Sequence, residues 1–183
     1  DALRALRERQ RDAMELDYFK QYVFHTQWNR LHDYARAKGI EILGDMPIFI
    51  AQDSADVWAH QHLFDLNEDG TPHTVAGVPP DYFAVNGQLW GNPQYDWTAM
   101  KEDGYGWWKA RFRKLCSLVD IVRIDHFRGF EAYWEIDGKA KTAVNGCWRK
   151  GPGKAFFEEM EKSVENLSIV AEDLGIITDE VEK

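Results

Sequence analysis

Three short apolar runs, each closing on a carboxylate and parted by helical patterns, set the terms on which this chain can fold. The clearest is Leu118-Val119-Asp120-Ile121-Val122-Arg123-Ile124-Asp125, β-branched and nearly continuous, as in a strand buried within a sheet. Ile40-Glu41-Ile42-Leu43-Gly44-Asp45 comes before it; Leu167-Ser168-Ile169-Val170-Ala171 comes after and runs into Glu172. Helical patterns cover residues 11–38, 107–117 and 154–166. In the first, Phe24, Trp28, Leu31 and Ala35 recur at helical spacing and Gly39 supplies the stop. This alternation predicts an α/β fold of right-handed βαβ units, with a parallel sheet buried on both faces. A Rossmann-type sheet and a (β/α)₈ TIM barrel both satisfy it. The Gly-x-Gly-x-x-Gly fingerprint that would favour the first is absent.

In a barrel, Asp45, Asp125 and Glu172 would converge on the C-terminal mouth, where barrel active sites are built. Any one of them reads equally well as the N-cap of a following helix. Three together repel one another, which gains an ordinary fold nothing and points to chemistry. Arg123 lies two residues before Asp125, so both side chains leave the strand on the same side. A guanidinium there would keep Asp125 ionised, as a carboxylate nucleophile requires. Glu172 follows small and apolar residues, and burial beside negative neighbours would raise its pKa and suit it to general acid work. One ionised and one protonated carboxyl is the division of labour of glycoside chemistry.

Residues 47–106 form a long connection rich in Gly, Pro, Asn, Asp and aromatics, with only short helical stretches such as residues 55–61. Connections of that length are usually functional. Gly77-Val78-Pro79-Pro80-Asp81-Tyr82-Phe83 and Gln88-Leu89-Trp90-Gly91-Asn92-Pro93 combine stiff turns, rings and short polar groups. A sugar has apolar C–H faces and a rim of hydroxyls, so rings beside Asp and Asn are what it needs. A second irregular stretch, residues 128–153, precedes the last helix.

Composition narrows the partners. Lys and Arg number 22 against 31 Asp and Glu, a net charge of −9, which disfavours nucleic acid and anionic membranes. Aromatic residues make up 14% of the chain, more than a core of this size needs, and suggest a cleft lined with rings. The two cysteines, Cys116 and Cys147, suit a reducing compartment and also allow one disulfide. No signal-peptide pattern or bilayer-length apolar run is present, so a cytoplasmic protein is expected. No metal or cofactor is expected. Asp65-Leu66-Asn67-Glu68-Asp69-Gly70 starts like a calcium loop but has Ala76 where a bidentate Glu belongs. His60, His62 and His73 lack the further close ligand a zinc site would need, and Gly151-Pro152-Gly153-Lys154 lacks the spacing of a phosphate loop.

Five motifs in order carry a family resemblance: Gly44-Asp45-Met46-Pro47-Ile48, Gly77 through Phe83, Trp90-Gly91-Asn92-Pro93, Arg123-Ile124-Asp125-His126-Phe127-Arg128-Gly129 and Ala171-Glu172-Asp173-Leu174-Gly175. Together they resemble the amylomaltases, the 4-α-glucanotransferases or disproportionating enzymes of the α-amylase clan, from about Met14 onward. The resemblance implies that Asp125 is the nucleophile and Glu172 the acid/base. It implies substrate-binding roles for Asp45, Asp81, Tyr82, Trp90, Asn92, Arg123 and His126. It also implies maltooligosaccharides or other α-1,4-glucans as partners, and a third carboxylate in a His-Asp motif that these residues do not contain.

The chain opens at Asp1 within a charged helical pattern and closes after Thr178-Asp179-Glu180 has started another. It therefore reads as the central part of a catalytic barrel, residues 1–183 covering approximately strands three to five, with a substrate loop at about 47–106. Such a piece by itself is expected to be inactive and, with open sheet edges, prone to self-association. A hydrolase of the same clan and a non-catalytic glucan-binding segment are the rival readings.

Overall fold

The computed structural model describes residues 2–174 and 177–182. Two helices open it, α1 (Ala2–Arg9) and α2 (Arg11–Ala37), followed by β1 (Leu43–Pro47) and α3 (Ala55–Ala59). Next come β2 (Thr74–Val78), β3 (Gln88–Pro93), α4 (Trp97–Glu102), α5 (Gly106–Cys116) and β4 (Ile121–Asp125). The last part holds β5 (Ala132–Asp137), β6 (Gly146–Lys150), α6 (Lys154–Ser163), β7 (Ile169–Ala171) and α7 (Asp179–Glu182). Gly153, with φ of 64°, turns the chain into α6.

Strands β1, β4 and β7 form a parallel sheet in the order β1-β4-β7. The predicted strands are all present, although the first starts at Leu43 instead of Ile40 and ends at Pro47. Its register pairs Asp45 with Arg123 and Pro47 with Asp125, so Asp45 sits mid-strand and not at a strand end. Period-two alternation divides β4. Val122 and Ile124 are 1% and 0% exposed, whereas Arg123 and Asp125 stay partly open on the opposite face. Among the described residues helices cover one face of this sheet, and Arg123 and Asp125 stand partly exposed on the other.

The covered face meets an aromatic core. Trp108 and Phe112 of α5, Phe156 and Met160 of α6, and Phe130 are all buried, with Phe130 and Phe156 rings 4.9 Å apart. Two bulky helices packed on one short strand leave a space that large rings fill. Much of the aromatic surplus thus belongs to the core and not to a ligand cleft. On α2, Trp28 donates to the Leu118 carbonyl at 2.7 Å, and His32 and Arg36 bind the Asp120 carboxylate at 2.8 and 2.6 Å. The Ile42 amide donates to the same carboxylate and, with those partners, holds its pKa well below the usual range. Phe24 and Leu31, expected to share the buried stripe, are 47% and 53% exposed.

The largest departure from expectation lies in the two irregular stretches. Residues 74–93 and 132–150 pair into one antiparallel sheet of order β3-β2-β5-β6. Their strands are short, three of them contain Gly, and the pairing of β2 with β5 that joins the two segments spans more than fifty residues of sequence. Gly77 shows how close the pairing is: a Cβ there would lie 2.1 Å from the Gln88 carbonyl oxygen and 2.7 Å from Ile136 Cδ1.

Candidate active site

Arg123 is the hub of the open face. Its Nη1 binds Asp45 Oδ1, while Nη2 lies 3.0 Å from Asp125 Oδ1 and 3.3 Å from Glu172 Oε1. One guanidinium from β4 thus links a carboxylate on β1, another at its own strand end and a third just past β7. These bonds, led by that to Asp45, raise the pKa of Arg123 further. The fork geometry of arginine suits several carboxylates at once, which a lysine could not reproduce.

Asp125 and Glu172 differ in their surroundings. The Asp125 side chain is 43% exposed, whereas that of Glu172 is 14% exposed and accepts the His126 backbone amide at 2.6 Å. The Glu172 amide in turn donates to the Ile124 carbonyl at 3.1 Å, continuing the strand pairing and fixing the residue beside Asp125. Sequence reasoning expects an apolar, anionic setting for Glu172; the structure gives it two donors instead.

His126 follows Asp125 with φ of 55°, a left-handed conformation that non-glycine residues seldom adopt. The turn aims its amide at Glu172 and brings its ring edge-on to Trp90, centroids 4.9 Å apart. Burial, with the nearby Arg128 charge, lowers the imidazole pKa to about 4, so the ring is neutral near pH 7. Its Nε2 is buried without a hydrogen-bond partner.

A cleft of about 330 Å³ joins these groups to the antiparallel sheet. Asp125, His126 and Glu172 line it with Asp81 and Trp90 from the first inserted segment and Trp148 from the second. Five of the residues singled out in the sequence are thereby brought together. Asp81 also shapes its own loop, since Oδ1 accepts the amides of Phe83 and Ala84 at 2.8 and 2.6 Å. Trp90 donates from Nε1 to Gln88 Oε1 at 3.0 Å, which fixes the indole.

The remaining residues lie elsewhere. Tyr82 is 93% exposed at the loop tip, with the Phe83 ring beside it. Asn92 donates to the Ile50 carbonyl at 2.9 Å and ties β3 to the segment after β1. Asp45 and Arg123 are joined to the cleft through the ion pairs and do not line it. A larger cavity of about 470 Å³ includes Asp45 and Arg111 but neither Asp125 nor Glu172, so it is not the chemical centre. Gly175, the last residue of the fifth motif, lies outside the described residues.

The calcium-like stretch is a turn held by its own side chains: Asp69 accepts from Thr71, and Asp65 accepts from Thr74 at 2.5 Å. Among the described residues no three His, Cys, Asp or Glu side chains are grouped to hold a metal ion. Sequence reasoning misses Arg128 and Trp148. Arg128 stands within a quoted motif, but nothing local shows that its guanidinium would lie over the Trp148 ring, 4.0 Å from the centroid.

Comparison with known proteins shows what the chain is similar to. The family model described as 4-alpha-glucanotransferase matches residues 1–183. A 4-alpha-glucanotransferase of Streptococcus pneumoniae is 52% identical over 180 residues, which are 98% of this chain and 36% of that protein. A chloroplastic/amyloplastic 4-alpha-glucanotransferase of Arabidopsis thaliana is 49% identical over 180 residues, 98% of this chain and 31% of the relative. The amylomaltase of Streptococcus agalactiae, solved in complex with acarbose, superposes with a TM-score of 0.95 at 42% identity. That match covers 99% of this chain and 37% of the solved one. The chain spans about a third of the length of the curated relatives it matches.

Proposed function

The chain belongs to the 4-alpha-glucanotransferase family, and on that premise we propose that the full-length enzyme transfers α-1,4-glucan segments between maltooligosaccharides by a retaining double displacement. The described residues would be the central part of its catalytic (β/α)₈ barrel, with β1, β4 and β7 as strands three, four and five. Residues 47–106 would form the substrate loop.

In the first step the Asp125 carboxylate attacks the anomeric carbon while the bond to the leaving glucan breaks. Glu172 gives its proton to the departing oxygen, leaving a glycosyl ester on Asp125. In the second step Glu172 takes the proton of an incoming 4-hydroxyl, whose oxygen attacks the same carbon and releases the Asp125 carboxylate. Two inversions at one carbon give net retention. Arg123 would hold the nucleophile in place and Asp45 would hold Arg123, while Asp81, Trp90 and His126 contact the sugar. Tyr82 and Asn92 are proposed to border more distant glucosyl units.

The observation that carries this reading is the sharing of one Arg123 nitrogen by Asp125 and Glu172 at the floor of a ring-walled cleft. Contact with one atom bounds the separation of those two oxygens at the sum of the two distances. The two carboxyl groups therefore stand side by side on one face, as attack at and protonation of the same glycosidic bond require. Free thiols at Cys116 and Cys147 suit the reducing cytoplasm, where we place the enzyme. The 183 residues taken alone offer two of the three carboxylates that the family resemblance implies, so we expect them to be inactive. The exposed Tyr18, Phe19 and Tyr22 on α2 would favour their self-association.

Incubating the full-length enzyme with maltotriose tests the reading. A ladder of longer and shorter maltooligosaccharides with glucose is the expected result; glucose and maltose alone would make it a hydrolase, and no turnover would remove the reading.

A further inference from the structure

From the wall of the cleft we infer that Trp148 is a sugar-stacking residue, held ready by Arg128 to receive the apolar face of a glucosyl unit of the bound glucan. This rests on the glucan reading of the same cleft and adds a binding residue to it. Trp148 belongs to β6, where it pairs in register with Trp134. The guanidinium carbon of Arg128 sits 4.0 Å from its ring centroid, and the Trp134 ring meets it edge-on at 5.3 Å.

Burial decides what a ligand would meet there. Arg128 and Trp148 both line the cleft with Asp125 and Glu172, but Arg128 is only 5% exposed and Trp148 40%. Most of the surface a ligand would meet at this wall is therefore indole. A buried guanidinium is costly unless it is paired, and Arg128 is paired by the ring on one side and by Glu131 at 3.9 Å on the other. That arrangement makes sense of a large ring kept open to solvent and immobile. A fixed ring loses little entropy when a sugar stacks on it, so the platform is preorganised. Arg128 is thus a positioning residue, acting through Trp148.

The test uses the full-length enzyme made inactive by Glu172→Gln, with maltoheptaose binding followed by calorimetry. Trp148→Leu keeps apolar volume without a flat ring and is expected to weaken binding about tenfold; Trp148→Phe keeps a ring and stays within about threefold. Arg128→Lys keeps the charge without the guanidinium plane and should fall between them. Binding of the Leu variant within twofold of its parent, or equal losses for Leu and Phe, would overturn the inference. Should the Leu variant fail to fold, crystals of the Glu172→Gln enzyme soaked in maltoheptaose decide. A glucose ring over the indole supports stacking, and a glucan bound away from it refutes it. Disproportionation by wild-type enzyme is read separately. A product ladder with Trp148-independent binding removes this inference alone, and Trp148-dependent binding without a ladder removes the transferase reading alone.

Discussion

The two sheets of this molecule do different work with different materials. The parallel sheet of β1, β4 and β7 carries charge: Asp45, Arg123 and Asp125 stand on one face, with Glu172 just past its last strand. The antiparallel sheet of β2, β3, β5 and β6 carries rings and turns, and brings Trp90 and Trp148 to the same cleft. In our account the first performs bond making and breaking, and the second selects and holds the glucan. Changes in the first should therefore lower kcat, and changes in the second should raise KM.

The largest effect is expected at the nucleophile. Asp125→Asn in the full-length enzyme should lower kcat on the order of 10³–10⁵-fold with an unchanged circular dichroism spectrum, since it removes the attacking oxyanion. Retention of more than a tenth of the activity would break the division between the sheets. Next comes Arg123→Lys, for which we expect about a 10²-fold loss in kcat, measured by glucose release from maltotriose. A lysine ammonium cannot serve Asp45, Asp125 and Glu172 together, although it preserves the charge.

How the sequence announces the two sheets follows the same divide. Leu118 through Asp125 encodes its strand, its buried side and its carboxylate end in eight consecutive residues, because a buried parallel strand is marked by its own composition. Arg123 beside Asp125 follows from the two-residue repeat alone. The antiparallel sheet leaves no such mark. Thr74–Val78 is stabilised by β3 and by β5, and the latter pairing joins Val75 to Ile136 across the whole of α5 and β4. Glycines that read as loop, such as Gly77, are there because the partner backbone leaves no room for a Cβ. Trp148 is therefore invisible as a cleft residue until the two insertions are seen to pair. Asp45 shows a subtler limit: its residue type is informative, but its mid-strand contact with Arg123 depends on register.

The antiparallel sheet provides the third comparison. Trp90→Ala should raise KM for maltotriose about tenfold and change kcat less than threefold, as expected for loss of a ring that holds ground and transition states alike. A selective fall in kcat would place Trp90 with the carboxylates and blur the distinction. The smallest effect should arise where the sheets meet, at His126. Its pKa in the folded enzyme, about 4, lies below the ordinary value of 6.5. The unfolded chain thus binds the proton first as pH falls, and the stability contributed by the neutral ring, present above pH 6.5, is lost as pH falls towards 4. Replacing it by Phe should flatten the dependence of Tm on pH in that window, by on the order of 2 °C. An identical slope in both proteins would show that this imidazole is not the titrating group.

The central claim is that Asp125 forms the covalent bond and Glu172 manages the proton. Full-length Glu172→Gln enzyme treated with α-maltosyl fluoride should accumulate a glycosyl ester. The fluoride leaves without acid assistance, and the missing base slows release. Peptide mass spectrometry should find the added maltosyl mass on the peptide containing Asp125. An adduct on any other residue, or none while the fluoride is consumed, would contradict the account.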